Sequence, residues 1–303
     1  LLSKMPVFTC ETVRSECWQG FADGAPCVLG IDEAGRGPVL GAMVYGCAVS
    51  PVSAAEDLKE LGVADSKALT EEKREQIFVK MNNDEKTKKT VAYAVRSLSP
   101  QLISAAMLQR SKCSLNQLSH DAAIALIRDA LDCRINVVQI FVDTVGPKGT
   151  YQAKLEAIFP GIAITVTEKA DALFPVVSAA SIAAKVTRDH ELRDWKFVET
   201  TSKVDGVKFG SGYPSDPTTK AFLAKTVDSV FGYPGLIRFS WKTVDTILDK
   251  KGIEMKWEAD EDDAAPSGKN ALARWTSTKG EGPPKEQRHS YFTQRKLQNV
   301  TNF

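Results

Sequence analysis

A mixed α/β domain, with helices packed over a central sheet, is the fold class this sequence predicts, on three observations. Strand-like runs mostly precede helical ones along the chain. Two early runs, Cys27–Asp32 and Val39–Val49, stand close enough to form a hairpin. Two apolar runs stop abruptly on acids, the first at Asp32-Glu33 and the second at Asp143.

The bulk properties narrow the function classes. A chain of 303 residues can bury a sizeable core, and its net charge of +1 means that any nucleic-acid surface must be local. No apolar run approaches the roughly 20 residues needed to span a bilayer, so no membrane is expected, and the N-terminus lacks a signal-peptide pattern. Cys10, Cys17, Cys27, Cys47, Cys113 and Cys133 show no regular spacing and read as reduced thiols. With three histidines, none at zinc spacing to a cysteine, a carboxylate site calls for a hard cation such as Mg²⁺.

Taken in order, residues 1–26 read as an irregular lead-in. After the hairpin, Ala54–Leu61 forms a short helix closing on Gly62. Asp65-Ser66-Lys67 follows, and Thr70 caps a helix beginning at Glu71-Glu72. Asn82–Lys89 reads as a polar turn and Thr90–Leu98 as a strand. Ser99-Pro100 starts a helix, with Ser at the cap and Pro in the first turn. Leu115–Leu131 carries an apolar stripe at helical spacing, and Val137–Val142 is a buried-strand run. Tyr151–Phe159 is a helix, Ile162–Val166 a strand, and Pro175–Thr200 the longest helical pattern, with Ser178, Ser181, Lys185 and Asp189 on one face. A Gly/Pro-rich loop spans Lys208–Thr218, with helices expected near Pro217–Val230 and Trp241–Lys250. From Glu258 the composition is that of a flexible linker, and His289–Leu297 regains enough helical character for a docking segment. The expected organisation is a lead-in (1–26), a catalytic domain (27–202), its helical C-terminal part (203–257) and a tail (258–303).

The stretch Gly30-Ile31-Asp32-Glu33-Ala34-Gly35-Arg36-Gly37-Pro38 carries the chemistry. Successive strand residues point to opposite faces, so Asp32 and Glu33 are not both solvent decoration if the sheet is covered on both sides. Burying acids costs desolvation unless a cation or proton compensates. Glycines beyond them let a ligand approach the backbone closely. A P-loop is excluded, because Arg36-Gly37 stands where Lys-Ser/Thr is required. The bland alternative is an acidic turn with Arg36 paired to Asp32 or Glu33. Asp143 and Asp171 add acids from two further elements, and two metal ions about 3.5–4 Å apart need such convergence.

Five motifs in register carry a family resemblance: Gly-Ile-Asp-Glu-Ala-Gly-Arg-Gly-Pro (30–38), Asp-Ser-Lys (65–67), Val-Asp-Thr-Val-Gly (142–146), the run 169–189, and Gly-Ser-Gly-Tyr-Pro-Ser-Asp-Pro (210–217). Together they resemble type 2 ribonuclease H, most closely the catalytic chain of the eukaryotic enzyme. The resemblance implies a ribonuclease H-like central mixed sheet flanked by helices, with a helical C-terminal extension. It implies hydrolysis of RNA in RNA/DNA hybrids and incision 5′ to single ribonucleotides in duplex DNA, leaving 5′-phosphate and 3′-hydroxyl ends. Ribonucleotide removal and primer removal in replication, and hence a nuclear location, go with it. Asp32, Glu33, Asp143 and Asp171 are the implied ligands of two Mg²⁺ or Mn²⁺ ions. Gly35, Arg36 and Gly37 are implied to contact the ribose 2′-hydroxyl, Tyr213 the neighbouring sugar, and Lys67 a phosphate. Asn116, Ser181 and Lys185 are further substrate-contact candidates. Two accessory non-catalytic subunits are implied as partners in a heterotrimer. The alternatives are a two-metal nuclease acting on DNA and a nucleic-acid-binding scaffold with a decayed site.

Overall fold

The structure, a computed structural model, describes residues 10, 12–22, 24–63, 69–199 and 208–253. Lys67, the 202/203 boundary and the tail with its 289–297 segment lie outside them. Six strands, β1 (Thr12–Arg14), β2 (Cys27–Ala34), β3 (Met43–Pro51), β4 (Ala92–Leu98), β5 (Val137–Asp143) and β6 (Ala163–Thr167), form one sheet in the order β1-β4-β3-β2-β5-β6. The β1, β4, β3 and β2 neighbours pair antiparallel, whereas β2, β5 and β6 run parallel. The mixed sheet and the early hairpin are as the sequence predicts.

Ten helices surround it among the described residues: α1 (Ala55–Glu60), α2 (Glu71–Asn83), α3 (Glu85–Thr90), α4 (Pro100–Leu108), α5 (Leu115–Asp132), α6 (Lys148–Ile158), α7 (Ala170–Leu173), α8 (Pro175–Arg193), α9 (Pro217–Thr226) and α10 (Lys242–Lys251). Alternation along β2 and β3 sorts the core into two layers. Leu29, Ile31, Tyr45 and Cys47 pack with Ala123 and Ile127 of α5. Val44 and Ala48 pack with Val177, Ala180 and Ala184 of α8 on the other side. Gly30 and Gly46 let α8 lie directly on the sheet. A Cβ on Gly30 would stand 2.5 Å from the Val176 carbonyl carbon, and one on Gly46 would collide with the Ala180 carbonyl oxygen. A third apolar cluster joins Phe222, Leu223, Leu236 and Val244 to Val39 and Leu40, tying the C-terminal helices to the loop after β2.

The expected caps form: Thr70 accepts from the Lys73 N–H at 3.3 Å and Ser99 from the Leu102 N–H at 3.1 Å. Four local expectations are corrected. The lead-in is not irregular throughout, since Thr12–Arg14 pairs with β4 and Trp18 and Phe21 are buried; a strand of three residues has no readable period. The polar turn at Asn82–Lys89 is the end of α2 followed by α3, because the Asp84 carboxylate accepts from the Thr87 N–H at 2.9 Å and starts a new helix. The second hairpin strand begins at Met43, not Val39, because Gly41 turns at φ +77° and Leu40 bridges to Ile237 instead. Helix α8 ends at Arg193 rather than running to Thr200, and the chain beyond it packs Trp195 and Phe197 against the third apolar cluster. No helix of the described residues is long and apolar enough to cross a membrane, and all six cysteines are free thiols.

Candidate active site

Ile31 lies opposite Val142 in the parallel β2–β5 pairing, so Asp32 and Asp143 follow side by side at the carboxyl ends of the two strands. In open α/β sheets ligands gather at that edge. Asp32 is only 3 % exposed, and its Oδ1 accepts the Glu33 N–H at 2.8 Å. Burial raises its carboxyl to about 7, with the charge of Asp143 adding, against the Ser181 hydroxyl, the Lys185 ammonium and the Glu33 N–H. Ser181 and Lys185 therefore stand over Asp32, one helical turn apart on α8.

Asp143 reaches the next acid through the backbone: its Oδ1 accepts the Ala170 N–H at 3.0 Å, and Asp171, 2 % exposed, is the following residue. Lys169 makes the tight entry into α7 at φ 54°. Glu33 alternates to the opposite face of β2. There burial and then its charge push the phenols of Tyr45 and Tyr151 above their usual range. Among the described residues no three carboxylate, imidazole or thiol groups close in on one point to enclose a cation by themselves. Mg²⁺ takes one or two protein carboxylates and completes its shell with water and substrate oxygens. An all-oxygen pair of a buried Asp32 and a half-buried Asp143 has the donor chemistry for that.

The Gly35-Arg36-Gly37 turn sits directly beyond these acids. Gly35 takes φ +76°, and a Cβ there would lie 2.7 Å from the Ala42 carbonyl oxygen and run into the Arg188 side chain. The Arg36 guanidinium reaches across to α5. It donates to the Ser119 hydroxyl at 2.7 Å and to the Asn116 side-chain oxygen, both on the first turns of α5. Asn116 thus enters the site by holding Arg36. Gly35→Ala is expected to cost about 1–3 kcal/mol of stability through backbone strain and to displace Arg188; thermal melts with incision rates on one preparation check it.

Tyr213 borders Gly37: a Cβ on that glycine would stand 3.5 Å from its ring, and the tyrosine is 49 % exposed. Its loop is latched by Asp216, whose carboxylate accepts from the Ser211 N–H and hydroxyl at 2.7 Å each. The Gly212 carbonyl in turn accepts the Val39 N–H at 2.7 Å. Between Tyr213, the 35–37 turn, α2 and α8 lies an open groove of about 710 Å³. Lys67 is not among the described residues.

The structure adds three site residues that sequence reasoning missed. Arg238 is fully buried and donates to the carbonyls of Gly35 (2.6 Å), Arg36 (3.1 Å) and Gly41 (2.8 Å). Trp241 Nε1 donates to the Gly37 carbonyl at 3.0 Å, and the Arg238 guanidinium lies 4.7 Å from its ring centre. Arg188 packs on Gly35. The one available signal was a lone arginine inside the apolar run Leu236-Ile237-Arg238-Phe239.

The Ribonuclease HII family signature spans residues 29–244, from within β2 into α10. The chain belongs to that family. It is therefore a ribonuclease H, an endonucleolytic hydrolase of RNA paired with DNA. The A-type subunit of ribonuclease H2 from Caenorhabditis elegans is 58 % identical over 97 % of this chain and 99 % of its own length. The Homo sapiens protein of the same name is 50 % identical over 91 % of each chain. Among solved structures, the ribonuclease H2 of Pyrococcus horikoshii superposes with a TM-score of 0.59 at 35 % identity, covering 74 % of this chain and 98 % of its own. The fold and the enzyme class expected from the motifs are thus those of this family.

Proposed function

We propose that this ribonuclease H incises duplex DNA on the 5′ side of single embedded ribonucleotides, as well as cutting the RNA strand of hybrids, leaving 5′-phosphate and 3′-hydroxyl ends. The observation that carries the reading is the placement of a backbone-lined glycine turn immediately beyond the paired strand ends that carry Asp32 and Asp143. Asp32, Asp143 and Asp171 are the residues to hold two Mg²⁺ or Mn²⁺ ions, with Glu33, which lines the groove beside the Gly35–Gly37 turn from the other face of β2, as the fourth. Such ions supply activation of the attacking water and charge stabilisation at the departing 3′-oxygen.

The chain's own groups supply recognition. The carbonyls of Gly35, Arg36 and Gly37 are engaged by Arg238 and Trp241, which pins the backbone that meets the sugar hydroxyl. The 2′-hydroxyl is the atom that separates RNA from DNA. Tyr213, exposed beside Gly37, is placed to pack on the adjoining sugar. Lys185 over Asp32 offers a cation to the reacting phosphate. The Caenorhabditis elegans and Homo sapiens relatives are each named as one subunit of ribonuclease H2, which supports a heterotrimer with two accessory non-catalytic subunits. The substrate supports work in the nucleus, in ribonucleotide removal and in primer removal during replication.

The test is a duplex with one embedded ribonucleotide, in Mg²⁺, beside the same duplex in DNA alone, with and without accessory subunits. A site built to bond a hydroxyl rejects the analogue lacking it by about 10⁴-fold. Incision 5′ to the ribonucleotide, with that discrimination, is expected. Equal cutting of the all-DNA duplex overturns the 2′-hydroxyl reading in favour of a DNA nuclease.

A further inference from the structure

We infer that Arg188 forms a phosphate subsite beside Gly35, taking a backbone phosphate that flanks the reacting one. The inference rests on the reading above that the groove takes nucleic acid. Arg188 lines that groove and is only 8 % exposed. Its Nε and Nη2 have no hydrogen-bond partner among the described residues. Its ion pair with Asp189 is loose, 3.5 Å from Nη1, which is beyond a strong charge-assisted bond.

A buried guanidinium with two unspent donors is costly unless a ligand takes them. Leaving the arginine there is the more demanding because a second buried guanidinium, Arg238, stands close enough for the two charges to act on each other. Every nitrogen of Arg238 already donates to a carbonyl, so the deficit falls on Arg188. The neighbouring Arg74 has the same character: Nη1 donates to the Leu69 carbonyl at 2.7 Å, while its Nε is buried without a partner on the same groove.

An anion with oxygens in a plane-matching array is what such a fork recognises. Position identifies which anion. Arg188 is seven residues beyond Ser181 on one helix, hence about 10 Å along its axis at the α-helical rise. Ser181 sits on Asp32, at the reacting end, so the phosphate at Arg188 is a neighbour in the same bound strand and not the one that is cut.

The test measures binding without turnover. The full chain, alone and co-purified with its accessory subunits, is titrated in EDTA with the ribonucleotide-containing duplex. Single neutral methylphosphonate linkages are placed at successive positions of either strand. Native protein is expected to lose about tenfold in affinity at one non-scissile linkage, the loss of one charge-assisted contact. Arg188→Lys and Arg188→Gln are expected to bind the all-phosphate duplex about tenfold more weakly and to be indifferent at that linkage. If Arg188→Gln fails to fold, Arg188→Lys, which keeps the aliphatic stem and the charge, decides with the native scan. Native indifference at every linkage, or a variant that keeps the native sensitivity, overturns the subsite. A native chain that incises at the ribonucleotide but shows no such coupling loses only the subsite. One that neither binds nor incises loses the functional reading as well.

Discussion

Asp32→Asn is expected to lower incision by about 10³-fold or more, since a metal contributes several kcal/mol to the transition state and 1.36 kcal/mol is tenfold. The same change is expected to make the metal-free chain more stable at neutral pH. The folded-state pKa of Asp32, about 7, lies above the ordinary 3.8, chiefly through burial and secondarily through Asp143. Its contribution to stability is then fully present below about pH 4 and lost as the pH rises through about 7, because the folded form holds the proton that the unfolded form has released. An amide of the same size never ionises, so the loss disappears. Each unit of displacement is worth about 1.4 kcal/mol, which puts the gain on the order of 2–4 kcal/mol at pH 8 in EDTA. For a domain of this size that is a rise of roughly 5–10 °C in melting temperature. Melts at pH 4 and pH 8 in EDTA, with incision in Mg²⁺, check both halves. Loss of stability together with loss of activity marks Asp32 as a structural group instead.

Arg238→Gln is expected to cost the most stability of any single change near the site. The native guanidinium serves three backbone carbonyls, those of Gly35, Arg36 and Gly41, from a fully buried position. Leaving buried acceptors unpaired costs about 1–3 kcal/mol each, and a glutamine amide reaches at most part of the set. A loss of about 3–5 kcal/mol follows, with the turn displaced. A shift of 1 Å in a positioning group costs about 10²-fold in rate. Discrimination between ribonucleotide and all-DNA substrates should fall with it, because the turn that reads the hydroxyl is the one released. Arg238→Lys keeps a charge but not the fork, and belongs between the two. Urea denaturation and the substrate ratio decide. A variant with native stability and native discrimination removes Arg238 from the site's support.

What could be read in advance follows from how local each signal is. Carboxylates ending apolar strand runs stand out in sequence because burying charge is expensive, and Asp32 and Asp143 do stand together at strand ends. The Ser99-Pro100 start and the Thr70 cap are bonds within one turn, so neighbouring residues suffice to specify them. Ser181 and Lys185 share a helical face by spacing alone. Alternation along β2 also separated Asp32 from Glu33 correctly.

Long-range packing decided the rest. Strand β1 exists because β4 offers it an edge, and nothing within Thr12–Arg14 announces that. The second hairpin strand starts late because the C-terminal segment claims Leu40 and the Gly41 carbonyl. Arg36 takes Ser119 and Asn116 as partners, residues about 80 positions away. Arg238 lies some 200 residues from the turn it holds. By itself the sequence determined the fold class, the strand-end acids, the caps and the family, all written in local chemistry. Only the tertiary structure decided which partners those groups take, because a buried donor or charge is satisfied by whichever group the folded chain brings within reach.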